Sequence, residues 1–441
     1  MSWSLTNNFQ QLMLWEIACS FTQNARPGSR TCCQRTKHRR SSEVPFWKRC
    51  QCRISADKDS QLLSLEDTME KRTAFHSIYE KLGAPMIDFG GWKVASHITS
   101  SNEEYMMIRN SVGFAEYDFQ SCFGVCGPES FQFIQELIVN DLGKITPGGT
   151  IYSSILDDKA SLIDDVIVFW ICEDRFIIHG GITRDASRKW ITEKADGRKV
   201  WVTEVSNTFL SLQGPKSINV LQQAVDIADL EHNRLVQVDF DGVPTTIARV
   251  GFSGELGYEV HFGPEYVHGM WEKFTAYCAN YGGGPAGLMA AFPIAVDKGF
   301  LFGADFYAGG SPLEYGLGWS VAFDKGFFHG RDEMLRRKQA GLRTKLVGIE
   351  ADVTEPQIAG GLKLTFDSTK NVGETTIGWV SPLLERNIGR AWVNSEFAEP
   401  GTELEVQSNG GPKKVKVTAG YRFFDPKGER VRVNPREMLK V

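Results

Sequence analysis

The sequence predicts an α+β fold with a separate small β-domain at its carboxyl end, and three observations lead to this prediction. The 441 residues are enough for two or three domains, each with its own core. Between residues 73 and 339, strand-like segments come in antiparallel pairs with helical segments between them, which is typical of α+β proteins. Residues 345–441 hold short strand-like segments separated by Gly, Pro and Asn turns, which is the pattern of a small barrel or sandwich.

The elements of the first region follow from their local patterns. Helical patterns predict helices over 73–82, 102–110, 131–139, 184–194 and 265–281. Apolar and β-branched runs predict a strand from Met86 into a Gly90-Gly91 turn, then strands over 151–156, 161–169, 175–179, 200–206, 208–213, 235–240, 245–250 and 258–262. Turns at 157–159 and 241–242 join two of these pairs as hairpins.

A boundary between the two regions is predicted at 340–343, after a helical segment at 332–339. Beyond it, strands are predicted over 346–350, 362–366, 373–380, 389–393, 403–406 and 413–417. We therefore expect three parts: an extension over 1–68, a first region of two subdomains over 69–339, and a β-barrel domain over 340–441.

The amino-terminal extension differs in character from the rest of the chain. Residues 1–56 carry nine Lys or Arg against two acidic residues, and they include five of the nine cysteines. Two interpretations stay open, a targeting presequence or an extension upstream of a start at Met69. The predicted location is accordingly either the cytoplasm or the mitochondrial matrix. A zinc site is disfavoured there, because Cys-Cys and Cys-x-Cys lack the two-residue gap of zinc ligands.

Composition argues against two kinds of partner. The mean hydropathy is −0.24 and the sequence has no apolar run near 18 residues, which excludes a membrane-spanning helix. The net charge of −5 argues against a nucleic-acid-binding body. We therefore expect neither a membrane nor a nucleic acid as a partner.

Two adjacent acids, Asp164 and Asp165, interrupt an apolar strand. Neighbouring side chains of a strand point to opposite faces, so both cannot lie on the solvent side of a half-buried sheet. A partly buried carboxylate needs a hydrogen-bonding partner. One interpretation is structural, with one Asp accepting from backbone amides or capping a turn, and the other is functional.

A third acid, Glu259, lies in the apolar strand after a glycine-rich segment that begins at Arg249. Glutamate is almost never fully buried without a partner. An arginine such as Arg249 satisfies it as a structural ion pair, and a planar pair of donors on a ligand satisfies it equally well. The residues alone favour the ion pair slightly.

Two other features do not indicate a site. The segment 282–287 formally matches G-x-G-x-x-G, but it follows a helix rather than a strand and contains Pro285, so we interpret it as a loop. The eight histidines show no metal-ligand spacing along the chain, and we therefore expect no metal site.

These features together resemble one family, the glycine cleavage T-protein (aminomethyltransferase) family, which also includes folate-dependent demethylases. The resemblance extends over 73–441 and rests on motifs that occur in the family's order. They include Gly-Ala-Pro-Met-Ile-Asp-Phe-Gly-Gly-Trp at 83–92, Ile-Asp-Asp-Val-Ile-Val at 163–168, Thr-Arg at 183–184, Gly-Phe-Ser-Gly-Glu at 251–255 and Pro-Leu-Glu-Tyr-Gly-Leu-Gly-Trp at 312–319.

The resemblance implies a cloverleaf-like fold, with ferredoxin-like and Greek-key elements forming a two-part folate-binding region before the C-terminal β-barrel or sandwich. It implies tetrahydrofolate as the cofactor. Asp165 matches the carboxylate beside the folate N5/N10 edge and is the implied catalytic residue, tuning charge and orientation without acting as a nucleophile. Glu259 matches the acid that holds the pterin amino group. Tyr152, Phe252 and Thr183 match further folate-binding positions, although Phe252 is usually Tyr in the family.

Departures from the family pattern shift the expected donor. Ala291 and Ala295 stand where the family has two arginines, and Glu-Tyr-Asp-Phe-Gln-Ser at 116–121 replaces a different family segment. We therefore expect a small methylated molecule as the one-carbon donor. The first alternative is the orthodox T-protein reaction with an aminomethyl-lipoyl carrier protein, and the second is a non-catalytic folate-binding paralogue. A role like that of the family's iron–sulfur assembly relatives is disfavoured, because Phe327 replaces their cysteine.

Overall fold

A computed structural model describes residues 70–181, 183–205, 208–307, 309–408 and 411–440. The predicted extension over 1–68 lies outside the described residues. The helices are α1 (His76–Leu82), α2 (Ser101–Asn110), α3 (Ser130–Leu137), α4 (Arg184–Ala195), α5 (Ser217–Leu221), α6 (Val267–Ala279), α7 (Ala291–Ile294), α8 (Arg331–Ala340) and α9 (Pro435–Met438).

The strands of the first region are β1 (Lys71–Arg72), β2 (Met86–Phe89), β3 (Trp92–Ala95), β4 (Gly113–Glu116), β5 (Cys122–Cys126), β6 (Thr150–Leu156), β7 (Leu162–Cys172), β8 (Arg175–His179), β9 (Trp201–Glu204), β10 (Phe209–Gln213), β11 (Leu235–Phe240), β12 (Val243–Ala248), β13 (Gly257–His261) and β14 (Gly284–Pro285). Those of the barrel are β15 (Thr344–Ala351), β16 (Lys363–Phe366), β17 (Lys370–Ser381), β18 (Arg386–Asn394), β19 (Glu403–Ser408) and β20 (Gly411–Val417).

A five-stranded antiparallel sheet, in the order β6-β7-β8-β5-β9, forms the first subregion. Its β7 presents alternate apolar residues such as Val166 and Val168 to one face, where Phe133 and Ile134 of α3 and Ile191 of α4 cover them. Both helices therefore occupy the same side of the sheet, and the opposite side is left for other parts of the chain.

A six-stranded sheet, in the order β11-β12-β13-β10-β4-β14, forms the second subregion. Its core contains Leu212 of β10 and Tyr258 of β13, packed against Trp271 and Phe274 of the long helix α6. β14 pairs in parallel with β4, so two residues of the segment interpreted as a loop are part of this sheet. That interpretation was wrong in this detail: backbone pairing with β4 extends the sheet there.

The third subregion is a closed barrel in the order β15-β18-β17-β16-β19-β20, as the short strands and turns predict. Arg390 of β18 is fully buried and donates to Asp305 and to the carbonyl oxygen of Ala295, at 2.6–3.1 Å. Because a buried guanidinium needs all its donors paired, this contact ties the barrel to the segment that precedes it.

The segment after the barrel returns to the six-stranded sheet. The backbone N–H groups of Phe423 and Phe424 donate to the carbonyl oxygen of Asp297. Buried Arg249 donates to the carbonyl oxygens of Val431 and Val433 at 3.1 and 2.6 Å. The predicted domain limits at 68/69 and 339/340 stay predictions. Among the described helices, none has the length and apolar character to cross a membrane.

Candidate functional site

Asp164 and Asp165 point to opposite faces of β7, as strand geometry predicts. Asp164 is 3% exposed and faces the helices. Its carboxylate accepts from the Gly181 backbone N–H at 3.0 Å and from the Ser187 hydroxyl at 2.8 Å. Burial raises the pKa of Asp164. Asp164 therefore has the structural role that the residues alone left open for one of the two acids.

Asp165 occupies the other face of the sheet and is only half-buried. The Tyr152 hydroxyl donates to its carboxylate at 3.3 Å. Burial and the neighbouring charge of Asp164 raise the pKa of Asp165 to about 7. A Cβ added to Gly181 would lie 3.9 Å from the Asp165 carboxylate, so this glycine leaves the approach to the carboxylate open. A partly buried carboxylate with a pKa of about 7 is suited to exchange a proton with a bound molecule.

An aromatic shelf adjoins this carboxylate. Tyr152 stacks on Trp319 with ring centroids 5.5 Å apart and an interplanar angle of 19°. Trp319 is 58% exposed, and the exposed guanidinium of Arg422 lies 5.4 Å from its ring centroid. The shelf thus presents a flat aromatic surface and a cation beside Asp165.

Glu259 lies on β13 and is 7% exposed. Its Oε2 atom lies 3.5 Å from Nδ1 of His179 and 3.3 Å from Nε2 of His261. Burial alone would raise the pKa of Glu259, but hydrogen bonds with both histidines lower it to about 2. Among the hydrogen bonds of the described residues, none reaches its Oε1 atom. The carboxylate is therefore ionised, with one oxygen engaged and the other available.

The structural ion pair expected between Glu259 and Arg249 is not formed. Arg249 donates instead to three carbonyl oxygens, those of Leu230, Val431 and Val433. The prediction of this partner was wrong, because backbone carbonyls from two loops take up the guanidinium.

The two predicted acids lie on the facing sides of two different sheets. Tyr152 and His179 both pair with Ile167, and therefore share a face of the five-stranded sheet with Asp165. Asp165 and His179 are diagonal neighbours on that face, about 7–8 Å apart. His179 contacts Glu259 of the six-stranded sheet, so the contact crosses from one sheet to the other.

In the described part of the chain, Phe252 is linked to Glu259 only through other aromatic rings, and Thr183 lies beside Ser187, which holds Asp164 on the opposite face of the sheet from Asp165. Phe252 packs edge-on against Tyr117 at 5.3 Å, and Tyr117 packs against Phe209 at 6.3 Å. Phe209 in turn stacks on His261 at 4.9 Å, which links Phe252 to the surroundings of Glu259. Thr183 is exposed just before α4, and its hydroxyl lies 3.3 Å from that of Ser187. The folate-binding roles of both residues stay predictions.

The residues that depart from the family pattern, Ala291, Ala295 and several of the segment 116–121, are buried in the structure. Ala291 and Ala295 are 4% and 0% exposed within a helical segment. Their methyl groups are therefore buried, and neither position offers a charged group to a bound molecule. In the segment 116–121, Glu116 and Asp118 are both buried, and burial raises their pKa values to about 7 and about 8. Tyr117 lies between them and contacts Phe252.

Sequence reasoning missed four residues of this region: His179, His261, Trp319 and Arg422. His261 gives a signal that could be found, because it lies two residues after Glu259 on the same strand and therefore on the same face. His179 belongs to another sheet, and its spacing along the chain from Glu259 carries no information about their contact.

Comparisons with known proteins agree with this architecture. The GCVT N-terminal domain matches residues 75–325, and the glycine cleavage T-protein C-terminal barrel domain matches residues 344–425. The chain is 32% identical over 355 residues to an aminomethyltransferase of Caldanaerobacter subterraneus subsp. tengcongensis, covering 79% of this chain and 94% of that protein. It is also 32% identical over 364 residues to an aminomethyltransferase of Lysinibacillus sphaericus, covering 80% of this chain and 98% of that protein.

The fold is similar to that of a solved structure. The glycine cleavage system aminomethyltransferase T of Bartonella henselae superimposes with a TM-score of 0.75 at 22% identity, covering 81% of this chain and 99% of that one. This likeness confirms the predicted α+β T-protein fold with its C-terminal barrel. The family models and the two relatives show that the chain belongs to the glycine cleavage T-protein family.

Proposed function

We propose that this protein is a tetrahydrofolate-dependent transferase that moves an aminomethyl-derived one-carbon unit to the folate. The observation that carries the proposal is the pair of carboxylates on facing sheets, one ionised and one with a pKa of about 7. The names of the curated relatives favour an aminomethyl donor over the small methylated donor that the sequence departures predict.

The residues present fit a folate. Glu259 has an available Oε1 atom, which suits the amino group and ring N–H of a pterin. The shelf of Tyr152 and Trp319 offers a flat aromatic surface, and Arg422 offers a cation for carboxylates of the folate tail. Tetrahydrofolate supplies the acceptor nitrogens of the transfer.

Asp165 has an electrostatic role and a proton-accepting role in this proposal. Its carboxylate stabilises positive charge that develops on nitrogen during the transfer, and it accepts the proton that the acceptor nitrogen releases. Tyr152 orients the carboxylate through its hydroxyl. Positioning of the two reactants contributes further, because aligned reactants remove part of the entropic barrier.

The donor is proposed to be an aminomethyl group on a lipoyl carrier protein. A second candidate donor, a small methylated molecule, is favoured by one observation: Ala291 and Ala295 offer no cation to an anionic carrier. The two donors give different products. An aminomethyl group bound to the lipoyl sulfur gives methylene-tetrahydrofolate and releases ammonia and the lipoyl thiol, whereas a transferred methyl group gives methyl-tetrahydrofolate and releases the demethylated donor and the proton of the acceptor nitrogen.

The test begins with tetrahydrofolate binding to the full chain, followed by intrinsic tryptophan fluorescence. We expect saturable binding that Glu259→Gln weakens and that Glu272→Gln, an exposed carboxylate on α6, leaves unchanged. Absence of binding to the wild-type chain would contradict the proposal and favour a repurposed family member.

The second step offers the folate-loaded protein each donor and identifies the folate product by mass. We expect methylene-tetrahydrofolate with the aminomethyl-lipoyl carrier. Formation of methyl-tetrahydrofolate from a small methylated donor would select the second candidate instead. Binding without turnover of either donor would identify a non-catalytic folate-binding protein.

A further inference from the structure

A cluster of three possible metal ligands consists of His179, Glu259 and His261, and the proposed function gives no role to its two histidines. Their nearest nitrogen and carboxylate oxygen atoms all lie within 4.8 Å of one another. Both histidines approach the same Glu259 oxygen, at 3.5 and 3.3 Å. Among the ion pairs of the described residues, Glu259 takes part in these two alone, so neither lysine nor arginine competes for its charge.

The two separations between histidine nitrogen and carboxylate oxygen, 3.5 and 3.3 Å, are those of ligands around one ion. Zinc binds His nitrogen and carboxylate oxygen at about 2.0–2.2 Å, so a tetrahedral site separates its ligand atoms by about 3.3–3.6 Å. Two histidines and one carboxylate form the donor set of three-ligand zinc sites and of non-haem iron(II) sites, which keep further positions for exchangeable ligands.

The surroundings hold the ligands in place and leave one side open. Phe209 stacks on His261 at 4.9 Å and packs edge-on against His179 at 5.1 Å, which restrains both rings. The side chains of His179 and Glu259 are 5% and 9% exposed, whereas that of His261 is 23% exposed. A small ion can therefore enter from the His261 side, where its remaining coordination positions meet solvent.

We propose that His179, Glu259 and His261 bind a single divalent transition-metal ion of the zinc class. The ion takes the Glu259 oxygen that now contacts the two histidines and draws the three ligands from both sheets together. A consequence rests on the proposed function: an ion bound at Oε2 withdraws negative charge from the carboxylate whose Oε1 atom accepts from the pterin, so a bound ion weakens folate binding.

The first test is a titration of the full chain, untagged and stripped of metal by a chelator, with cobalt(II) as an optical substitute for zinc. We expect one equivalent to bind with the visible absorption of a four- or five-coordinate ion, and zinc to displace it. His261→Gln should weaken cobalt binding at least tenfold, and His329→Gln, a histidine paired with Asp158 elsewhere, should leave it unchanged.

Three results would overturn the proposal: no stoichiometric binding to the wild-type chain, octahedral aquo-ion absorption only, or equal binding to His261→Gln. The wild-type titration needs no variant, so a poorly folded substitution cannot decide the outcome. Because cobalt binding is read without folate, failure of the proposed function leaves this test intact. One equivalent of zinc should also weaken tetrahydrofolate binding at least tenfold, and an unchanged folate affinity would refute this consequence.

Discussion

The two walls of the candidate site, one formed by each sheet, hold the same functional group with opposite shifts of its pKa. On the five-stranded sheet, burial and the charge of Asp164 raise the pKa of Asp165 to about 7, and the hydrogen bond from Tyr152 only partly opposes this rise. On the six-stranded sheet, Glu259 is more buried, yet two histidines lower its pKa to about 2. This difference shows that the partners of a buried carboxylate, and not its burial alone, determine its pKa.

The two states suit two tasks. A carboxylate that stays ionised at all physiological pH values can hold a cationic or donor-rich group without titrating. A carboxylate with a pKa near 7 can take up and release a proton during turnover. We therefore assign proton transfer to Asp165 and ligand anchoring to Glu259. Four experiments test this assignment.

The largest effect is expected for Asp165→Asn. Because the amide neither carries charge nor accepts a proton readily, turnover should fall by about 10²–10⁴-fold. Folate affinity should change by less than about threefold, measured by the fluorescence titration. Asp174→Asn, at the turn after β7, provides the matched control. Full turnover of Asp165→Asn would remove Asp165 from the chemistry.

The next effect is expected for Glu259→Gln. Loss of a charge-assisted hydrogen bond costs about 1.5–3 kcal/mol, which corresponds to a Kd for tetrahydrofolate weakened by about 10–150-fold. The dissociation constant is measured by fluorescence at fixed pH. An unchanged Kd would show that Glu259 serves only the two histidines.

A smaller, pH-dependent effect separates the two walls without any substitution. Turnover at saturating folate should rise with pH through an inflection near 7, since Asp165 acts in its ionised form. Folate affinity should show no inflection from Glu259 between pH 5 and 9, because that carboxylate is ionised throughout. The inflection near 7 should disappear in Asp165→Asn, and its persistence would assign it to another group.

The smallest effect is expected on stability. The folded-state pKa of Asp165 lies above its ordinary value of 3.8, so its contribution to stability is complete below pH 4 and is lost as the pH rises through 7. Asp165→Asn should therefore raise Tm by about 2–4 °C at pH 8 and by less at pH 5.

Glu259 should behave in the opposite sense. Its folded-state pKa is lowered, so its contribution is present above pH 4.5 and is lost only as the pH falls towards 2. Glu259→Gln should therefore lower Tm at both pH 5 and pH 8. Differential scanning calorimetry measures both variants, and shifts of the same sign would contradict the contrast between the walls.

Much of the fold could be predicted from the sequence, because local patterns decide its hairpins and helices. The apolar runs on either side of the turn at 157–159 predict strands of the five-stranded sheet. The short strand-like segments after residue 344 predict the barrel. The strand Gly113–Glu116 was not predicted, since a fully buried short strand lacks the alternation that marks a half-buried one. The strand Cys122–Cys126 was not predicted either, because it is short and has a glycine at its centre.

The site could be predicted only in part. Asp165 and Glu259 stand out locally, because an acid inside an apolar strand demands a partner. Some partners are local, since Tyr152 lies on the strand next to Asp165 and His261 lies on the same strand as Glu259. Others are distant: His179 reaches Glu259 from the other sheet, and Trp319 reaches Tyr152 from a distant segment. Such contacts depend on how the sheets pack, which no spacing along the chain reveals.

The guanidinium of Arg249 sets a condition on the order of folding during synthesis. Two of its carbonyl acceptors, Val431 and Val433, follow Arg249 in the chain by 182 and 184 residues. At translation rates of roughly 5–20 residues per second, those acceptors follow Arg249 by roughly 10–40 s. Until then this buried cation beside the six-stranded sheet lacks two of its three carbonyl partners, so the sheet completes its packing only after the barrel that follows it has emerged from the ribosome.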